Sequence, residues 1–325
     1  MKCINKTLFC VLFLLCLIQT GCGSSFAQPY RDNKEDVSFR LFQKNAYNSQ
    51  IADSFASGLC VADADAAQAQ PIQTDALSAA LFDVTRCNTV YADSVYERVN
   101  PASLTKIMTA LVALKYAEPD MVLTASSSIY NLESGAQKCG LAAGDTMTLD
   151  QALRILLVYS ANDVAIMIAE NIGGSVEGFL SMMNAEASRI GATGTNFTNS
   201  SGLSDAEHYS TAYDMYLIFS EALKYDLFTE IINMPSYSTV YRDSSGNEKK
   251  IDVKSTNYYL RGEKSAPAGI TVIGGKTGTT TAAGHCLILL TRDIGSKPYI
   301  SVVMRASSND TLYATMNELL YRVPN

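Results

Sequence analysis

Strand-like stretches in this chain fall in two groups far apart in sequence, and that separation limits the fold more than any other feature. Ser78 to Val84 and Thr89 to Tyr91, joined by Thr85-Arg86-Cys87-Asn88, read as a hairpin. Ile270 to Ile273, His285 to Thr291 and Tyr299 to Met304 are three further runs divided by glycine-bearing turns, and a helical pattern follows from Asn309 to Tyr321. Between the groups the spacing is helical. Leu104, Ile107, Met108, Leu111 and Leu114 form one stripe, with Asn100 as its N-cap and Pro101 in the first turn, where a missing N–H costs nothing. Thr148 and Gln151 make a capping box ahead of Leu149 to Val158. Gly173-Gly174 stops the helix that follows Asn162, and another helix runs from Val176 to Ile190. The expectation is an α/β (α+β) fold, an antiparallel five-stranded sheet flanked by helices. The sheet lobe would span 56–98 and 266–325, with an all-helical insertion lobe, 99–265, between the second and third strands.

Composition and the N-terminus bound the class of function. The 325 residues are 47% hydrophobic, enough to bury one large core or two smaller lobes. A formal net charge of −7 without a long run of one sign argues against nucleic acid as a partner. Lys2 and Lys6 precede an apolar run from Leu8 to Ile18, shorter than the about 20 residues that span a bilayer, so residues 1–22 read as an export signal. Gly21-Cys22 resembles a lipidation site, with Cys22 as the acceptor, although Gln19 stands where an aliphatic residue is usual. Cleavage after Ser25-Phe26-Ala27 is the alternative. Residues 23–55 are polar and aperiodic, a surface tether, so any membrane association would come through an N-terminal anchor. The remaining cysteines, Cys60, Cys87, Cys139 and Cys286, fit either disulfides or four separate small core residues. With only His208 and His285 and no ligand spacing, neither a metal nor a cofactor is expected.

Three short motifs stand in order along this frame: Ser103-Leu104-Thr105-Lys106, Ser160-Ala161-Asn162 and Lys276-Thr277-Gly278. An S-x-x-K arises by chance about once in a chain this long, and a Ser-Ala-Asn at a helix break is ordinarily a cap. The rarer K-T-G downstream of both makes the coincidence improbable. Ser103 and Lys106, three apart at a helix start, share a face, so the lysine reaches the hydroxyl. A buried lysine beside another cation, for which Lys276 is the candidate, favours its neutral basic form and activates the serine. Ser160 is suited to shuttling a proton and the Asn162 amide to holding a peptide bond. Lys276-Thr277-Gly278 continues an edge-like strand bordering a cleft, with charge for an anionic substrate end, a hydroxyl donor and room for close backbone approach.

With their surroundings, these motifs resemble the serine penicillin-binding proteins and β-lactamases, and within them the low-molecular-mass D-alanyl-D-alanine carboxypeptidases. Pro101 to Thr109, Tyr159 to Asp163, Ser201-Gly202-Leu203, His208 to Met215 and Gly275 to Thr280 carry the resemblance, which covers roughly residues 56–321. It implies a β-lactamase/transpeptidase-like catalytic domain over 56–325, acting in the bacterial cell envelope on peptidoglycan stem peptides and blocked covalently by β-lactam antibiotics. It implies acylation of Ser103, Lys106 as base, Ser160 as proton relay and Asn162 on the substrate amide. Lys276 and Thr277 would hold the terminal carboxylate, with Gly278 opening the strand, and Thr279 would complete an oxyanion hole with Ser103. His208 and His285 are expected to be structural. No E-x-x-L-N deacylation motif occurs, which disfavours efficient β-lactam hydrolysis. A β-lactamase or esterase on the same scaffold, and a β-lactam- or peptidoglycan-binding lipoprotein without turnover, are the alternatives. The intact proton-transfer set argues against the second.

Overall fold

The computed structural model describes residues 58–62 and 71–324, so the expected export signal with Cys22 and the expected tether, both within residues 1–57, lie outside the described residues, as do residues 63–70. In chain order the first half comprises β1 (Ser78–Asp83), β2 (Asn88–Asp93), α1 (Thr105–Tyr116), β3 (Val122–Thr124), β4 (Thr146–Thr148), α2 (Leu149–Arg154) and α3 (Asn162–Gly173). There follow α4 (Val176–Arg189), α5 (Ala212–Ala222), α6 (Asp226–Ile232), β5 (Ser236–Arg242), β6 (Glu248–Lys254), β7 (Thr271–Thr280), β8 (Gly284–Arg292), β9 (Pro298–Ala306) and α7 (Asn309–Leu320).

The two expected strand groups meet in one antiparallel sheet of order β2-β1-β9-β8-β7. The joint is β1 against β9, with Ala80 opposite Val302. Alternation along these strands supplies two cores, one on each face of the sheet. Phe82, Ile288 and Val302 pack with Ile107 and Leu111 of α1 and Phe219 of α5, whereas Leu81, Leu287 and Val303 pack with Leu312, Tyr313 and Met316 of α7. Every residue of α1 from Thr105 to Ala113 is buried, so this helix is enclosed on all sides rather than along one stripe. Lys106 rides into the interior on it.

The insertion differs from expectation: it is not all-helical. A second antiparallel sheet of order β3-β4-β5-β6 lies within residues 99–265. Its main pair, β5 and β6, is polar and largely exposed, burying only Tyr241, Ile251 and Val253. Lys249, Lys250 and Asp252 mask the strand periodicity, and the Asp243–Asn247 turn is closed by the Asp243 carboxylate rather than by an Asn-Gly pair. The expected helix from Leu149 to Val158 also changes character. Its capping box is present, but α-helical winding stops at Arg154 and a π turn covers Ile155–Tyr159, leaving Ser160 left-handed at φ 71°. Such widened turns are frequent at functional sites. Cys60, Cys87, Cys139 and Cys286 are four separate thiols, and among the described residues no helix is long and apolar enough to cross a membrane.

Candidate active site

All three motifs converge on one cleft. Ser103 lies in a single 3-10 turn, Ala102–Leu104, that leads directly into α1. The Asn100 side chain caps this turn, accepting the Ala102 N–H at 2.9 Å, instead of capping the α-helix itself. Ala102 is held at φ 47°, outside the range that L residues prefer, and two glycines wedge it there. Gly202 packs on the Ala102 carbonyl and Gly278 of β7 packs on the Ser103 amide, and a Cβ at either glycine would collide.

Lys106 is fully buried, and its Nζ lies 2.9 Å from Ser103 Oγ. The same nitrogen contacts Asn162 Oδ1 at 2.7 Å and the Ser201 carbonyl at 2.5 Å. Burial holds its pKa well below the ordinary lysine range and Lys276 repels the charge further, with Asp163 acting weakly the other way. Lys276, also buried, donates to Ser160 Oγ at 3.0 Å and to the Thr277 carbonyl at 2.8 Å, and burial alone brings its pKa down to about 7. Both shifts disfavour full charge on the two buried lysines at neutral pH. The arrangement is therefore able to take a proton from Ser103 and pass one through Ser160.

β7 is an edge strand, so its outer side can pair with an extended ligand. Thr277 Oγ1 faces the cleft wall through a 2.5 Å contact with Thr256 Oγ1, and Thr279 and Gly278 line the cleft with Ser103, Ser160 and Asn162. His208 sits beneath the site: its Nδ1 accepts the Thr198 N–H, its other nitrogen meets Thr105 Oγ1 at 2.8 Å, and burial lowers its pKa to about 4. These contacts make it a neutral packing group, as the sequence reading expected.

The rest of the cleft escaped that reading. Residues 133–137 form one rim and Thr256, Tyr258 and Arg261 another, all in aperiodic loops with no spacing signal. Asp163 fixes the first rim, accepting the N–H groups of Cys139, Gly140 and Leu141. Gln137 ties it to the Ser160 loop, donating to the Tyr159 carbonyl and accepting the Asn162 N–H. Arg261 stacks 4.6 Å over the Tyr258 ring and pairs with Glu263.

Against known proteins, the profile of the peptidase S11 family, described as D-alanyl-D-alanine carboxypeptidase, matches residues 64–308. The chain belongs to the D-alanyl-D-alanine carboxypeptidase family. Among its relatives, D-alanyl-D-alanine carboxypeptidase DacF of Bacillus subtilis is 31% identical over 259 residues, 79% of this chain and 64% of that protein. DacC of Escherichia coli is 29% identical over 255 residues, 76% of this chain and 60% of that protein. The chain thus spans less than two thirds of the length of these two relatives. The crystal structure of the Streptomyces K15 DD-transpeptidase superposes with a TM-score of 0.72 at 25% identity, covering 78% of this chain and 98% of that one. The D-alanyl-D-alanine carboxypeptidase family is therefore as the motifs implied, and the mixed α/β fold with its five-stranded sheet is as the two groups of strand-like runs implied.

Proposed function

We propose that the protein is a serine D,D-carboxypeptidase that removes the terminal D-alanine of peptidoglycan stem peptides through an acyl-enzyme on Ser103. The observation that carries this reading is the fully buried Lys106 amine, 2.9 Å from Ser103 Oγ and beside a second lysine. A neutral amine has two N–H donors and one lone pair. Asn162 Oδ1 and the Ser201 carbonyl can only accept, so they engage both donors and turn the lone pair toward the Ser103 hydroxyl. Lys106 is then the base.

Ser103 Oγ attacks the carbonyl of the penultimate D-alanine while its proton moves to Lys106. The developing oxyanion is held by the Ser103 and Thr279 N–H groups. Ser160, hydrogen-bonded to Lys276, relays a proton to the departing amine, D-alanine leaves, and water hydrolyses the ester and restores Ser103. Asn162 and β7 hold the substrate backbone, and Thr277, Lys276 and the neighbouring Arg261 wall receive the terminal carboxylate. β-Lactams mimic the acyl donor, and with no E-x-x-L-N glutamate to drive deacylation they act as covalent inhibitors. The enzyme works outside the cytoplasm, at the envelope, held by an N-terminal anchor on Cys22 or released by cleavage after Ala27.

The test is D-alanine release from a peptide ending in D-Ala-D-Ala. Wild-type protein releases it and Ser103→Ala does not; release that survives the substitution refutes the mechanism. Mass spectrometry of the mature N-terminus separates a lipidated Cys22 from a free Gln28.

A further inference from the structure

Two cysteines that the chemistry at Ser103 leaves unused stand side by side away from the cleft. Val61 bridges Asn88 in a parallel register, so the residues just before them, Cys60 and Cys87, come next to each other. Backbones in such a register lie about 4.8 Å apart, inside the window of roughly 4.4–6.8 Å between the Cα atoms of a disulfide. Thr89 Oγ1 fixes the register by donating to the Val61 carbonyl at 2.9 Å. Cys87 ends the β1–β2 turn in a left-handed conformation, φ 50°, and its Sγ lies 3.8 Å from the Val84 carbonyl oxygen. Cys60 Sγ lies 3.4 Å from the carbonyl oxygen of Asp83. The two sulfurs thus rest on the carbonyls of consecutive residues.

The Cys60 segment is held in this position from its other side. Its N–H donates to the Tyr216 hydroxyl and its carbonyl accepts from the Tyr213 hydroxyl, both at 2.9 Å and both from α5. Phe82 of β1 stacks on the Tyr216 ring at 4.0 Å, and the Tyr96 hydroxyl donates to the Ala62 carbonyl. The other two described cysteines sit differently. Cys139 Sγ contacts the Asp163 carboxylate, and Cys286 Sγ contacts the Ala283 carbonyl and the Arg305 N–H.

We propose that Cys60 and Cys87 are a disulfide-forming pair that staples residues 58–62 to the β1–β2 turn. The step takes two electrons to an external disulfide, of a small molecule or a protein, available outside the cytoplasm where the proposed function puts the enzyme. Cys87, the more exposed thiol, loses its proton and attacks that disulfide, releasing one thiol and forming a mixed disulfide. Cys60 Sγ then attacks Cys87 Sγ and the second thiol leaves. Two S–H bonds are lost, one S–S bond forms within the chain, and one external disulfide is reduced to two thiols. Burial pushes the Cys60 thiol up to about 11, and a charge on Cys87 pushes the same way, so Cys60 enters second, once the mixed disulfide is beside it.

The test reduces the full-length chain, incubates it with oxidised glutathione, blocks residual thiols with a maleimide and digests it without reductant. Mass spectrometry should find the Cys60 peptide joined to the Cys87 peptide. The closed loop of about 27 residues should raise the melting temperature by about 10 °C over the reduced chain. Cys87→Ser, in the partly exposed turn, should abolish both the joined peptide and the difference, and Cys60→Ala should do the same. A glutathione adduct that stays on Cys87, a link from either residue to a different cysteine, or two free thiols overturns the inference, as does a melting temperature that closure leaves unchanged. Neither residue lines the cleft, so oxidised and reduced forms should release D-alanine equally. Absence of release from both forms would tell against the carboxypeptidase reading and leave the staple standing.

Discussion

Gly202→Ala probes how closely the position of Lys106 depends on backbone packing that no motif residue supplies. A Cβ at Gly202 would lie 1.8 Å from the Ala102 carbonyl oxygen, whereas Cβ contacts under 3.0 Å essentially never occur, so the segments must part by at least 3.0 − 1.8 = 1.2 Å. If residues 201–203 give way, the Ser201 carbonyl moves off Lys106 Nζ from 2.5 Å to as much as 2.5 + 1.2 = 3.7 Å, beyond hydrogen-bond range. If Ala102 gives way, Ser103 moves instead. Either way the Lys106 amine and the Ser103 hydroxyl lose register. Overpacking costs about 1–3 kcal/mol, and a Cβ at φ +87° adds about 1 kcal/mol, so stability falls by about 2–4 kcal/mol and the melting temperature by on the order of 10 °C. Misplacement by an ångström costs about 100-fold in rate. The assay is kcat/KM for D-alanine release well below the variant's melting temperature, with circular dichroism confirming the folded state. A folded variant within about twofold of wild type would show that the Ser201 carbonyl and Gly202 contact do not position Lys106.

Four other predictions follow from the same structure. The kcat/KM profile should be bell-shaped, rising as Lys106 deprotonates at a pH well below the usual lysine range and falling as Lys276 loses its proton near pH 7; Lys276→Arg, permanently charged, should abolish the falling limb. Since Lys276 has a pKa of about 7 folded and 10.5 ordinarily, the unfolded chain binds the extra proton between those values, so stability measured by denaturant should rise with pH across that window, an increment that Lys276→Met removes. Asp163→Ala deletes the acceptor of three rim N–H groups and should destabilise the fold by about 3 kcal/mol, raise KM more than it lowers kcat, and open residues 133–141 to limited proteolysis. Thr148→Ala removes a capping box away from the cleft lining and should cost about 1 kcal/mol in thermal unfolding with no change in kcat/KM.

Much of the site was legible because its chemistry is carried by unusual residue types at fixed local spacing. Ser103 and Lys106 share a helical turn, and the π turn that brings Ser160 to the cleft ends where Ser and Asn interrupt an apolar run. The hairpin of β5 and β6 was missed because its charged residues outnumber the few apolar ones that mark a strand. Ser201 could not be found from sequence as a lysine partner, since it acts through its backbone carbonyl, which every residue has.

By itself the sequence determined the five-stranded sheet shared by both ends of the chain and the three motifs, since periodicity and local spacing are written residue by residue. Only the tertiary structure decided that Lys106 lies in a buried pocket between Asn162, Ser201 and Lys276, and that the loops of residues 133–137 and 256–261 line the same cleft as the three motifs. Burial, pKa and the direction of an amine lone pair are set by groups more than fifty residues apart, and those distances exist only once the chain has folded.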